Sequence, residues 1–161
     1  MKKYARFIPY ITTLSVMIVI FLFSSENAEE SAESSSGFIQ FIVDIFNNIF
    51  NTEHSVTTTK SIEHFVRKTA HFCIYGLLGF NAYWLFLWNC KNTPKHLILI
   101  FSVILSFIYA CSDEIHQLFS PGRSGSFGDV LLDTTGAFCG ALMLMAIISI
   151  YIYFKEKKVN K

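Results

Sequence analysis

Residues 68–88 read KTAHFCIYGLLGFNAYWLFLW, and from Phe72 to the end of that stretch no charged side chain occurs. At the rise of an α-helix, its apolar part is about 25 Å long. That is slightly under the thickness of a bilayer's hydrocarbon core, so flanking residues must help it cross. Tyr83, Trp84 and Trp88 sit toward one end of the run. Their rings suit the membrane–water interface, where such residues act as anchors.

Three further apolar runs surround it, at residues 7–23, 97–111 and 131–154. The first has the same length. The run at 97–111 is short, and alone it also suits a re-entrant or buried segment. The last is long enough to cross although Asp133 lies in its first turn. The 161-residue chain is 52% hydrophobic and 16% charged, with 17 Phe and 7 Tyr. A soluble domain of this size cannot hide so much apolar surface, and the exposed remainder would aggregate. The expected fold is all-α, a polytopic membrane helical bundle in one domain with spans at residues 6–24, 70–88, 96–112 and 131–154. The four cysteines, Cys73, Cys90, Cys111 and Cys139, form no CxxC pair and read as free apolar thiols. A Cys73–Cys111 disulfide has no support in the spacing.

Lys2, Lys3 and Arg6 precede the first run, as they would in a signal peptide. The run exceeds the usual signal core, however, and no small-x-small cleavage site follows it, so a retained helix is expected. Four crossings place nine Lys/Arg residues on one side: Lys2, Lys3, Arg6, Lys91, Lys95, Lys155, Lys157, Lys158 and Lys161. Only Lys60, Arg67, Lys68 and Arg123 fall on the other. The positive-inside rule then puts both termini in the cytoplasm. It also supports the short third crossing, without which Lys91 and Lys95 would share a side with the acidic loop.

The segment 25–69 lies outside in that topology. Its Ser/Glu/Ala-rich part, residues 24–37, lacks large apolar side chains and reads as mobile or only locally helical. In residues 38–50, Phe38, Phe41, Ile42, Ile45, Phe46 and Ile49 recur at helical spacing among Gln40, Asp44, Asn47 and Asn48. This is an amphipathic helix too short to span. It suits the outer membrane surface, as a packing helix or as a lid over a site at lipid level.

Polar residues gather at the outer helix ends. Lys68, His71 and Tyr75 share one face of the second span, at spacings of three and four. Asp113, Glu114, His116 and Gln117 follow the third span. If the helix continues, Asp113, His116 and Gln117 share a face and Glu114 pairs with Gln117. Arg123 sits in the turn SPGRSG at 120–125, and Asp129 and Asp133 open the fourth span. Charges at this depth are costly unless paired or hydrated, so together they mark a candidate site. Each also has a structural alternative. Lys68 and Arg123 suit lipid phosphates, His71 suits packing, Asp129 suits a helix cap, and Asp113 with Arg123 suits a salt bridge. Gly136 and Gly140 have the small-xxx-small spacing of close helix packing. No P-loop, dinucleotide fingerprint or metal-ligand spacing is present, so no cofactor, no metal and no nucleic acid is expected.

The pattern Lys68-x-x-His71-Phe72-x-x-Tyr75, then Asp113-Glu114-x-His116-Gln117-x-x-x-Pro121-Gly122-Arg123, then Ser126-x-x-Asp129-Val130 with Gly136 and Gly140, resembles the VanZ-like family. The resemblance covers about residues 60 to 150. Members commonly carry Asn where this chain has Asp133, so the resemblance gives that side chain no strict role. It implies a multi-pass protein of the bacterial cell membrane. It also implies a link to low-level resistance to teicoplanin, an acylated glycopeptide, without the usual change in the wall precursor.

Three functions are compatible with these residues. The outer cluster suits recognition of an amphiphile: a membrane lipid, a lipid-linked wall precursor or a lipoglycopeptide. His71, His116, Asp113 and Glu114 are also residue types used for acid–base work or for holding a metal, as in a hydrolase or transferase acting on an outer-leaflet lipid, although no catalytic residue and no strong metal spacing stands out. The Gly136/Gly140 face suits an assembly partner in an envelope complex. A transporter fits poorly, because the inner halves carry little polar beyond Asn81, Ser102, Ser106 and Ser149. The oligomeric state is not legible.

Overall fold

The computed structural model describes residues 6–50 and 60–159. It contains five helices: α1 (Ile8–Ser25), α2 (Ala28–Phe50), α3 (Lys60–Asn89), α4 (Lys95–Gln117) and α5 (Phe127–Val159). The described residues include no strand. Helices α1, α3, α4 and α5 are long and apolar enough to cross a membrane. Large apolar side chains such as Ile11, Leu14, Leu22, Ile108, Met143 and Ile147 point outward from them, as lipid-facing residues do. All four cysteines are free.

Two ends of the bundle can be told apart by contacts. At one, the Tyr10 hydroxyl donates to Asn89 Oδ1, and Lys95 Nζ lies 3.2 Å from Ser149 Oγ. The start of α1, the end of α3, the start of α4 and the late part of α5 therefore meet at a basic end. At the other, Phe21 packs on His116, and Lys68 meets Asp129. This is the polar end.

Helices α3 and α5 run parallel and pack most intimately. Lys68 pairs with Asp129 and His71 faces Asp133. One turn further along, glycines let the backbones touch. A Cβ on Gly136 or Gly140 would collide with the carbonyl oxygens of Phe72 and Gly76, and one on Gly79 with that of Ala137, each closer than 3.0 Å. Small residues at such crossings trade side-chain volume for close van der Waals contact. Around this seam, Ile20, Tyr75, Leu78, Ala110 and Val130 form one buried cluster toward the polar end. Tyr83, Ile98 and Ala141 form another toward the basic end.

Three expectations need correction. The serine-rich segment is not a mobile lead-in. It is the first half of α2, continuous with the amphipathic half. The physical reason is a capping box. Asn27 Oδ1 accepts from the Glu30 N–H at 2.9 Å, and Glu30 Oε2 accepts from the Asn27 N–H at 3.0 Å. The Ala and Glu residues that follow favour a helix once started. Second, the short third run is the middle of a 23-residue helix that continues through the acidic residues to Gln117. Third, α3 and α5 begin earlier than their apolar runs, at Lys60 and Phe127. Ser126 caps α5, its Oγ accepting from the Gly128 N–H at 3.2 Å, so of the two expected places for Asp129, N-cap or near-cap, it takes the second, in the first turn. Residues 51–59, Lys2, Lys3 and Lys161, and the side chains of Phe46 and Phe50, lie outside what is described.

Candidate functional site

Three helix ends and one turn build the polar end. Because α3 and α5 are parallel and in register, residues one turn apart on each come opposite one another. Lys68 Nζ lies 2.6 Å from Asp129 Oδ1, a close ion pair whose approach lies off the direction of a hydrogen bond. One turn deeper, His71 Nδ1 lies 3.5 Å from Asp133 Oδ2. Asp133 is wholly buried, and neither of its carboxylate oxygens has a hydrogen-bond partner.

Helix α4 supplies the third side. Gln117 Nε2 donates to Asp113 Oδ2 at 3.3 Å, and both side chains are buried. Gln117 therefore serves Asp113 and not Glu114. Glu114 instead accepts the Ser126 N–H at 2.8 Å, which ties the end of α4 to the start of α5. The intervening turn closes tightly: Gly122 has a φ of 75°, and Gly125 packs under Leu118 and the Glu114 carbonyl. A left-handed φ costs a side-chain-bearing residue more than glycine.

The turn projects Arg123 toward α1. Its guanidinium donates to the Phe23 carbonyl at 3.5 Å, a weak contact, and its Nε is buried without a partner. Among the described residues no ion pair joins Arg123 to Asp113. Burial pushes the Arg123 guanidinium below its ordinary pKa. The charge of Arg67 adds to this, while Glu26, Asp113 and Glu114 oppose it. Even so, a guanidinium stays charged at any physiological pH.

Tyr75 lies beneath the layer. It is fully buried, with its ring 6.4 Å from that of His71 on one side and 6.4 Å from that of Tyr109 on the other. Its hydroxyl neighbours Asp113 but makes no hydrogen bond of good geometry. His116 belongs elsewhere. Its ring packs 4.7 Å from Phe21 of α1, and it lines neither of the two cavities described below. Gly136 and Gly140 lie in the α3–α5 seam, away from the cluster's charges.

Two of the cavities in this layer adjoin. One, of about 120 Å³, is polar, and its walls include Lys68, His71, Gln117, Arg123, Asp129 and Asp133. The second, of about 300 Å³, is apolar and lies between α1, α2 and α3, lined by Ile20, Phe23, Phe38, Val66, Ala70 and Ile74 among others. Arg67, His71 and Arg123 border both. His64 and Arg67 are site residues that reading the sequence did not select, whereas Asp133 was singled out with Asp129 at the start of the fourth span. His64 and Arg67 lie one turn before Lys68 and His71 on the same helix. They would have been found had the helix been started at Lys60.

A family model described as VanZ/LLP1 matches residues 9–150 of the chain. No curated protein and no solved structure matches it.

Proposed function

The chain belongs to the VanZ/LLP1 family, and from that premise we propose that its polar end recognises an amphiphile carrying an anionic head group and an acyl chain. One observation carries the reading: a polar cavity and an apolar cavity adjoin, and two arginines and a histidine stand on their shared border. Arg67 and Arg123 offer planar forks suited to phosphate or carboxylate. Arg123 is the stronger candidate, because its hydrogen bond to the Phe23 carbonyl is weak and its Nε has no partner among the described residues. Ile20, Phe23, Phe38 and Ile74 offer apolar surface to a hydrocarbon chain. Helix α2 roofs this apolar cavity, with Ser31, Ser34, Ser35 and Phe38 on its wall. Beyond Phe38, its apolar face (Phe41, Ile42, Ile45, Ile49) is exposed, which suits burial in an interface.

The charge distribution supports a membrane orientation with the basic end in the cytoplasm. The site would then face the outer leaflet and the cell wall. A membrane lipid, a lipid-linked wall precursor and an acylated glycopeptide share the required chemistry, and teicoplanin tolerance would follow from binding the last. A test is drug susceptibility in a Gram-positive host lacking its own copy, comparing empty vector, wild type and Arg123→Ala at matched membrane abundance. The expected result is raised tolerance to teicoplanin with wild type alone, and unchanged tolerance to vancomycin, which lacks the acyl chain. Equal tolerance in all three strains would remove resistance from the proposal.

A second reading, a hydrolase or transferase acting on a lipid-linked substrate, draws on the meeting of His71, Asp113 and Asp133. Hydrolysis of a lipid phosphate by wild type and not by His71→Gln would favour it.

A further inference from the structure

Three helices each send one metal-ligating side chain to a common point. His71 comes from α3, Asp113 from α4 and Asp133 from α5, and one ligand atom from each lies within 4.8 Å of the others. Nothing in their spacing along the chain announces this, since they are brought together only by the parallel α3–α5 register and the continuation of α4.

We propose that His71, Asp113 and Asp133 form a binding site for one divalent first-row cation, of the Zn²⁺ or Mn²⁺ class. The donor set is one imidazole and two carboxylates. The imidazole suits zinc, and the carboxylates suit manganese. Two carboxylates neutralise a divalent charge, so the loaded site carries no net charge into the bundle.

Geometry supports this beyond the presence of acidic groups. Asp133 is entirely buried, yet both its oxygens lack a hydrogen-bond partner. A buried anion in that state is costly unless a cation meets it. His71 Nδ1 and Asp133 Oδ2 lie 3.5 Å apart, an ion-pair contact longer than an ordinary hydrogen bond. This distance matches the ligand–ligand edge of a tetrahedral site with bonds of about 2.1 Å, which is about 3.4 Å. The third ligand also has outer support. Gln117 donates to Asp113, and the Tyr75 hydroxyl lies beside it, in the place of groups that orient metal ligands. Lys68, a competing cation, is paired with Asp129. His71 and Asp133 line the polar cavity, so the remaining coordination positions open toward it. The site stands whether or not the neighbouring cavities take an amphiphile.

The test uses the full-length purified protein in detergent, stripped with chelator and dialysed against Zn²⁺ or Mn²⁺ alone. Metal content is compared for wild type, Asp133→Asn, Asp113→Asn and the control Glu156→Gln, an exposed carboxylate near the far end of α5. One equivalent per chain in wild type and in Glu156→Gln, lost in the other two, is the expected result. Substoichiometric metal in wild type, or full metal in both Asp133→Asn and Asp113→Asn, overturns the proposal. A measurement on Mn²⁺-loaded wild type guards against variants that fail to fold. Pulsed EPR should show ¹⁴N coupling from one directly bound imidazole, absent in His71→Gln. Wild type without that coupling also overturns it.

Discussion

Toward the basic end of the bundle, several polar side chains turn back onto their own helices. Asn81 donates to the Leu77 carbonyl at 2.8 Å, Ser102 to Ile98 at 2.7 Å, Ser106 to Ser102 at 2.9 Å and Ser149 to Met145 at 2.8 Å. Toward the polar end Thr69, Thr134 and Thr135 do the same, but buried atoms without a partner gather there. The buried atoms without a partner include Asp133 Oδ1 and Oδ2, Tyr75 Oη, His116 Nδ1, Arg123 Nε and Ser24 Oγ. Tyr83 Oη is the exception in the other half. Buried polar groups in native proteins are nearly always hydrogen-bonded, and those that are not call for an explanation. Unpartnered buried polar atoms thus gather at the polar end, where the proposed recognition of an amphiphile would need them.

The comparison can be broken most severely at the seam both halves share. Gly140→Leu would press a side chain into the Gly76 backbone. Overpacking of this kind costs about 3 kcal/mol or more. The expected outcome is loss of a monodisperse peak in detergent size-exclusion chromatography, where the wild type gives one.

A smaller and one-sided effect is expected from Glu114→Ala. It removes the acceptor of the Ser126 N–H and with it the tie between α4 and α5. Hydrogen bonds to charged groups are worth about 1.5–3 kcal/mol. Amide exchange should accelerate at residues 126–129 and stay unchanged around Ser102. Uniform acceleration across the bundle would mean the two ends are not separable. The smallest effect belongs to Ser102→Ala at the basic end, where only a self-helical bond is lost. Polar contacts inside membrane bundles average about 0.6 kcal/mol. Thermal unfolding in detergent should therefore shift little, and a large drop would show that this half is not passive.

The fold was largely legible because apolar runs in lipid need no partner to be recognised. The run from Phe72 to Trp88 declares itself from composition alone. Where reading stopped short, helices continued past their apolar part. Asp113, Glu114 and Gln117 extend α4 as polar residues on a helix whose end faces polar groups and not lipid. The helical start at Ala28 rests on two residues, Asn27 and Glu30, whose signal is small beside the serine-rich composition that follows.

The candidate site was half legible. Lys68, His71, Asp113, Gln117, Arg123 and Asp129 share motifs that spacing can link within one helix. What spacing cannot supply is which residue of another helix stands opposite. Asp133 and His71 lie 62 positions apart, and only the parallel register of α3 and α5 makes them neighbours. For the same reason His116, on paper a member of Asp113's face, packs against Phe21 instead.

The most direct test of the central claim is binding of teicoplanin and vancomycin to the purified protein. Wild type, Arg123→Ala at the border of the two cavities and Ala70→Trp in the apolar cavity would be compared. The account predicts measurable affinity for teicoplanin and not vancomycin in wild type. Each substitution should weaken it by about tenfold or more, the equivalent of one charge-assisted hydrogen bond. Equal affinity in all three proteins, or equal affinity for both drugs, would contradict it.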